Sequence, residues 1–544
     1  MKRKTAEAGF KPKRAIAKAM LKKNGGRREK GNAKSEEKHP KLTAGKLQGA
    51  VQKSPATQKS AVPAKKPFPI VSKSLPKLSA STTSKLESIF GEVSRQITPT
   101  AEESKREKEF ALSLCAKLGR ALAGEGVKVF FVGSTARDTG LRGDRDIDLF
   151  AAFPQNRERD YIVAQTFAAV KREIPGNWAT HYAEHPYLQA SLGDYKVEVI
   201  PCFQIRPHER TKSAVDRSPL HMDYLQKRLS PMQKRDVRVL KQLLKAAGIY
   251  GAESRVGGFS GLICEYLILN YRSLAGLLAE ATAWRPPVVV DIEGVGGENS
   301  EVLQRFKDSP LILIDAIDSK RNAAAAISAD SFATFVSLSH ALLQRPAKEF
   351  FFPAARPAMG LKNAEEAIRE RATSIILAHF PISANLVEDV AYPQLRRTQR
   401  SVADNVAKAG FRLVDSSEGL AQNRGFFIFE FANFSKPGVE PVQGPPAWFA
   451  KESESFLKKH PAPLRGPFVR DGRLVVEVKP QFRTAAEFVR NLLENPRGIA
   501  VGPDIAPSLK RAKVQELPKE TASLDPGSIE FVSGYLAKRA HWLQ

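Results

Sequence analysis

The 544-residue chain carries 42% hydrophobic residues and a formal net charge of +27. It is too long for one core and apolar enough for several, and no run approaches the 18 or so consecutive apolar residues of a membrane span, so no membrane partner is expected. The N-terminus lacks an apolar secretory segment, and Cys115, Cys202 and Cys264 lack metal-ligand spacing, which suggests reduced core thiols in a cytoplasmic protein without zinc or disulfides.

Residues 1–83 are rich in Lys, Ala, Ser and Pro and are expected to form a basic disordered extension, because they bury too little apolar area to offset ordering entropy. Residues 1–80 hold 22 Lys and Arg against 4 Asp and Glu, so most of the charge excess sits there. Counterion release makes such a segment a non-specific nucleic-acid attractant, although a solubilising tail or a nuclear address fits it equally. Globular sequence begins near Ser84. Thr98 or Thr100 caps a helix to about Leu122, with Glu102 and Glu103 in its first turn. The apolar run 127–132 is a strand, and a second strand starts at Asp146 and reaches Phe153. A helix over 160–172, a strand near 180–184 and a strand around Glu198 complete a mixed α/β unit. From Leu220 the pattern turns helical. Residues 236–247 gather Val237, Leu240, Leu243 and Leu244 on one face and Arg238, Lys241 and Lys245 elsewhere, as in a solvated basic helix. Gly257-Gly258 and Gly261 break the chain before an apolar helix over 262–274. Beyond Phe350, strands (373–378, 425–432, 473–478) alternate with helices (392–409, 450–458, 484–493), an α+β pattern without internal repeats.

The chemistry concentrates between the first two strands. Gly133-Ser134 follows the apolar run directly, and Asp146-Ile147-Asp148 opens the next strand. Side chains at i and i+2 of a strand share a face, so Asp146 and Asp148 converge while Ile147 and Leu149 pack beneath. Two adjacent carboxylates repel unless a cation lies between them, and oxygen ligands suit magnesium. Glu198, flanked by Val197 and Val199, points away from an apolar face and is the candidate third ligand.

The spacing of Gly133-Ser134 to Asp146-Ile147-Asp148-Leu149 resembles the signature of the polymerase-beta-like nucleotidyltransferases. Further segments resemble the archaeal-type (class I) CCA-adding enzymes, the tRNA nucleotidyltransferases. They are residues 182–187 (YAEHPY), 197–202 (VEVIPC), 213–221 (SAVDRSPLH), 248–253 (GIYGAE), Asp315 with Asp318 and Arg321-Asn322, Phe350-Phe351-Phe352-Pro353, 466–469 and 474–478. The resemblance covers roughly residues 84–494. It implies an α+β multidomain chain: a polymerase-beta-like catalytic head over 84–220, a helical nucleotide-binding neck over 221–345, and an α+β tRNA-binding body and tail over 346–544, the tail at about 437–499.

The resemblance also implies the activity, which is template-independent addition of C, C and A to the tRNA 3′ end from CTP and ATP with release of pyrophosphate. Asp146, Asp148 and Glu198 would be the catalytic carboxylates and hold two Mg2+ ions. Gly133, Ser134, Arg137, His221, Lys241 and Tyr250 would contact the nucleotide. Arg321 and Asn322 would lie near the incoming base, and Glu184 and His185 near the primer end. Basic residues Arg396, Arg397 and Arg400, with Lys458-Lys459-His460, fit a surface tracking the acceptor and TΨC arms, and a homodimer is compatible with the family. Two features depart from the pattern. Glu198 stands where the family usually carries Asp, one methylene shorter, and residues 1–83 have no counterpart. The alternatives are a poly(A)- or poly(U)-adding enzyme, against which the matches beyond residue 200 argue, and an inactive RNA-binding protein, against which the three acids argue.

Overall fold

The computed structural model describes residues 78–182, 185–207, 209–354 and 359–543. The chain divides at Lys65/Lys66, and all described residues lie in the second unit. The basic extension therefore lies outside the described residues except at its end, where a helix has already begun. Helix α1 (Ala80–Ile97) is capped by Ser79 and buries Leu86, Phe90, Val93 and Ile97, a stripe with helical spacing that the sequence reading passed over. Helix α2 (Ala101–Ala121) starts where expected, with a complete capping box between Thr100 and Glu103.

Strand β1 (Lys128–Val132) leads through the short helix α3 (Gly133–Ala136) into β2 (Asp146–Phe153). Helix α4 (Arg159–Glu173), β3 (Ala179–Tyr182), β4 (Pro186–Leu192) and β5 (Tyr195–Phe203) follow. The strands form one sheet in the order β1-β2-β5-β4-β3, with β2 and β5 parallel and the other pairs antiparallel. Its two faces divide by parity. Ile147, Leu149, Ala151 and Phe153 of β2 and Val197, Val199 and Phe203 of β5 pack with Leu114 and Leu118 of α2 and Ile162, Ala169 and Val170 of α4. Phe150, Ala152, Ile200 and Cys202 form a smaller cluster on the opposite face, which also carries the acids. Burying one face in this way fixes the register, because a one-residue slip would send every acid into the core.

Helices α5 (Ser218–Arg228), α6 (Pro231–Ala246), α7 (Gly261–Tyr271) and α8 (Leu274–Ala281) form a helical layer. Strand β6 (Val288–Val290), helix α9 (Asn299–Arg305), strand β7 (Leu311–Leu313) and helix α10 (Ala329–Gln344) complete this region. One core joins α1 to this layer, with Phe90, Leu240, Tyr266, Leu277 and Phe335 fully buried. No single helix among the described residues is long and apolar enough to cross a membrane; α7 and α8 are apolar because they fill this core. Asp216 sets the entry into α5: its carboxylate accepts from the backbone N–H groups of Phe203, Lys212 and Ser213 and from Ser213 Oγ, tying the turn before α5 to the end of β5.

The remainder comprises α11 (Leu361–Glu370), β8 (Ser374–Pro381), α12 (Glu388–Lys408), β9 (Leu413–Ala421) and β10 (Arg424–Phe431). It continues with β11 (Glu440–Pro446), α13 (Ala450–Lys459), β12 (Arg465–Arg470), β13 (Arg473–Val478) and α14 (Ala485–Glu494). It ends with α15 (Ala506–Leu509), β14 (Lys513–Leu517) and α16 (Pro526–Leu536). A β14-β8-β10-β9 sheet packs α12 and α14 on one face and α11 and α16 on the other; β11-β13-β12 is a separate small sheet. Arg396 is spent within the fold, donating to Glu418 and to the Ser254 carbonyl, whereas Arg397 and Arg400 of the expected RNA-tracking stretch are exposed.

Candidate nucleotidyl-transfer site

Parallel pairing of β2 with β5 sets Asp148 directly opposite Glu198, and Asp146, two pairs away, opposite Lys196. All four side chains leave the sheet on the same face. β1 flanks β2 with Val132 opposite Asp148, so the chain turns over the acid at Gly133. Gly133 has φ +84°, and a Cβ at this position would run into Asp148 Oδ2, so both backbone conformation and space demand glycine. Thr135 Oγ1 donates to the Asp146 carbonyl at 3.2 Å, holding the turn against β2.

The acids occupy different environments. Asp148 is half-buried, and its carboxyl is pushed up to about 7, first by loss of solvation and then by the negative charges of Glu198 and Asp146. Burial also raises Asp146, with Lys196 opposing. Glu198 Oε1 accepts from Gln189 Nε2 at 2.7 Å and lies 2.9 Å from Lys196 Nζ, which is 3.9 Å from Asp146 Oδ1. Among the described residues no three acidic, His or Cys side chains form a ready-made metal cluster, and this arrangement is consistent with that: an ammonium already stands between two of the carboxylates.

A cleft of about 390 Å³ opens above these residues, lined by Gly133, Arg137, Asp148, His185, Glu198 and His221 among others. Arg137 is anchored from behind: its Nε donates to Glu265 Oε1 at 2.9 Å, and Thr139 Oγ1 donates to the same oxygen. Glu265 is fully buried on α7. Burial alone would raise its carboxyl, yet the charges of Arg137 and Lys241 and these hydrogen bonds hold it below its ordinary range. Lys241 is buried beneath the cleft and donates to the Thr139 carbonyl at 2.8 Å; burial lowers its pKa, with Glu265 opposing. It is not among the cleft-lining side chains, and neither is Tyr250, but the two converge beside Gly261 at the start of α7, next to the cleft-lining Leu262. Ser134 and Arg137 lie at the two ends of the turn between β1 and the following loop.

His185 is 1% exposed, and neither ring nitrogen has a hydrogen-bond partner among the described residues, so a buried polar group faces the cleft unsatisfied. Burial lowers its pKa. Glu184 lies outside the described residues. His221 Nε2 meets Asp315 at 2.8 and 3.0 Å, and Arg321 Nη1 donates to the same carboxylate at 2.6 Å. Burial would raise Asp315, but the hydrogen bond and charge of His221, the Ile317 N–H and Arg321 together hold it well below the usual carboxylate range. Asn322 departs from the expected contact with the base. Its amide accepts from the Leu313 and Ala324 N–H groups and donates to the Leu311 carbonyl, so the side chain is spent closing the β7 turn.

The sequence reading missed Glu265, Asp315 and Lys196 as site residues. A lone acid inside the apolar helix α7 was the available signal for Glu265. It also took α6 for a solvated basic helix, whereas the stripe Lys234, Arg238, Lys241, Lys245 grips the loop before β2. Lys234 pairs with Asp138 at 3.3 Å, Arg238 donates to the Gly140 carbonyl at 3.1 Å, and Lys245 pairs with Asp144 at 2.9 Å. A further cavity of about 980 Å³ lies elsewhere, between α10 and the segment after α8, with an apolar lining.

Three family models match the chain: a nucleotidyltransferase domain over residues 108–221, the second domain of tRNA nucleotidyltransferase over 235–352, and the C-terminal domain of the CCA-adding enzyme over 371–516. The CCA-adding enzyme of Methanoregula boonei is 33% identical over 415 residues, covering 75% of this chain and 86% of the relative. That of Methanothermobacter thermautotrophicus is 31% identical over 457 residues, covering 82% and 97%. Among solved structures, the RNA terminal uridylyl transferase Cid1 aligns at 15% identity over 50% of this chain and 98% of its own, with a TM-score of 0.41, too loose a match to carry an argument.

Removing the charge of Glu265 leaves Arg137 and Lys241 buried without their counter-ion. Glu265→Gln, which preserves volume, is expected to destabilise the protein by about 3 kcal/mol. Denaturant unfolding measures this, and an unmoved midpoint would show that the buried carboxylate does not hold sheet and helices together.

Proposed function

This chain belongs to the CCA-adding enzymes, which join C, C and A to the 3′ end of tRNA from CTP and ATP, and on that premise we propose roles for the residues of its cleft. The observation that carries the assignment is the pairing of Asp148 with Glu198 on adjacent parallel strands that line a cleft, with Asp146 two positions along β2 on the same face. The donor set fits a hard divalent cation: three carboxylates share one face, burial and mutual repulsion raise Asp148, and a lysine ammonium is already drawn to the other two. Asp146, Asp148 and Glu198 would hold Mg2+, which supplies charge neutralisation for the triphosphate and acidifies the attacking 3′-hydroxyl.

The remaining work is positioning. Arg137, fixed at Nε by Glu265, presents its guanidinium to the triphosphate, and Ser134 adds a hydroxyl on the same turn. Gly133 lets the backbone pass close over Asp148. His221 lies on the cleft wall in an orientation set by Asp315, which Arg321 shares, so these two residues form the side of the site nearest the incoming base. Lys241 and Tyr250 act from behind, by supporting the Thr139 loop and the start of α7. His185, unsatisfied and facing the cleft, suits a hydroxyl of the primer's terminal ribose. The surplus of cations in residues 1–80 favours a non-specific RNA-binding arm.

Asp148→Asn is expected to lower C and A addition by more than about 10³-fold while tRNA binding stays intact, since it removes charge and not shape. Gel extension of tRNA lacking its CCA end and filter binding read the two separately, and retained extension would remove Asp148 from the reaction centre. The folded protein holds the Asp148 proton up to about 7, well above its ordinary value of 3.8. Mg2+ affinity should therefore rise as pH increases through 7, with about half a proton released per binding event at pH 7 and close to one well below it. Calorimetry in buffers of different ionisation enthalpy would detect that proton, and its absence would contradict the assignment. Deleting residues 1–77 should weaken tRNA binding and flatten its salt dependence without changing the turnover rate. An unaltered salt slope would exclude the arm.

A further inference from the structure

Lys196 lies two residues before Glu198 on β5, so the two side chains leave the sheet on the same face. Register places it opposite Asp146 just as Glu198 is opposite Asp148. Its Nζ lies 2.9 Å from Glu198 Oε1 and 3.9 Å from Asp146 Oδ1. The third acid, Asp148, is half-buried in the cleft, while the Lys196 side chain is 51% exposed, so its ammonium can leave along the route to solvent. Glu198 is long enough to meet both this ammonium and Gln189 Nε2, 2.7 Å away on β4.

We propose that Lys196 is a built-in counter-cation of the acidic centre. In the metal-free enzyme its ammonium neutralises Asp146 and Glu198, and a divalent ion enters by displacing it, so this one side chain sets the affinity of the site for metal. The proposal rests on Asp146, Asp148 and Glu198 being the metal ligands. The physical basis is a competition between two cations. A compact ammonium on a flexible stem, half in water, is held weakly. It still lowers the repulsion that three carboxylates would otherwise impose on the metal-free fold. An ion of double charge gains more from the same oxygens and pays only for moving Lys196 into solvent. Lys196 thus keeps the metal-free site from being strained and keeps metal binding from being tighter than exchange allows.

The test compares full-length wild type, Lys196→Met and Lys196→Arg, titrated with MgCl2 by calorimetry without nucleotide or tRNA. Thermal unfolding is measured alongside, in EDTA and in saturating MgCl2. Lys196→Met should bind Mg2+ about five- to tenfold more tightly than wild type, because the competing charge is gone. Lys196→Arg retains a cation and should stay within about twofold of wild type, which a purely structural role for the lysine stem would not predict. In EDTA the Met variant should unfold at a lower temperature than wild type, and saturating Mg2+ should close that gap. Equal or weaker Mg2+ binding by Lys196→Met, with wild type binding normally, overturns the proposal and leaves the ligand assignment standing. No Mg2+ binding by any of the three proteins overturns both.

Discussion

The cleft depends on the fully buried carboxylate of Glu265. It receives Arg137 Nε and Thr139 Oγ1 from the turn that follows β1, and Lys241 lies close enough to stabilise its charge while donating to the Thr139 carbonyl. A charge in a helix core is tolerated only when opposite charge and hydrogen bonds surround it. The chain therefore cannot bury α7 without drawing the Gly133–Thr139 turn down onto the helices. The α6 stripe does the same for the rest of the loop, through Lys234, Arg238 and Lys245 on Asp138, Gly140 and Asp144. Folding of the helical layer and placement of the phosphate-facing turn become a single event.

The opposite wall is built on the same principle with a different acid. Asp315 gathers His221, Arg321, Tyr266 and the Ile317 N–H, and Asp216 ties the start of α5 to the end of β5. Glu265 and Asp315 join segments far apart in sequence and Asp216 ties neighbouring ones, so these regions converge near the ends of β2 and β5 where Asp148 and Glu198 lie side by side. The sheet supplies position through register, and the buried acids supply orientation.

What was legible in the sequence was what repeats locally. Alternation along β2 and β5 identifies which acids share a face, and the capping pattern at Thr100 places α2. The helical spacing of Leu86, Phe90, Val93 and Ile97 was equally plain, and was overshadowed by the basic composition just upstream. What was not legible depends on partners more than a hundred residues away. Glu265 reads as an oddity inside an apolar helix until Arg137 lies against it. The cations of α6 look solvated because nothing local reveals that a loop from the sheet region covers them. The resemblance puts Asn322 near the incoming base with Arg321, yet its amide is engaged in the turn after β7, through the Leu313 and Ala324 N–H groups and the Leu311 carbonyl. Lys196 is invisible as a site residue until strand register sets it opposite Asp146.

The acidic centre also explains why a binding-only role for this scaffold is hard to sustain. A protein that merely gripped RNA would gain nothing from Asp148 and Glu198 lining its cleft with Asp146 beside them, where they repel both one another and any phosphate that enters. Asp148 in particular keeps its proton to about 7, so at neutral pH the folded state bears the work of ionising it. An amide at that position would relieve the strain with little change in shape. On the proposed reading, a cation of higher charge than Lys196 on the same face would recover that energy. Raised carboxyls at Asp146 and Asp148, crowded beside Glu198, favour a site that accommodates an ion and chemistry on phosphate over passive contact with a nucleic acid.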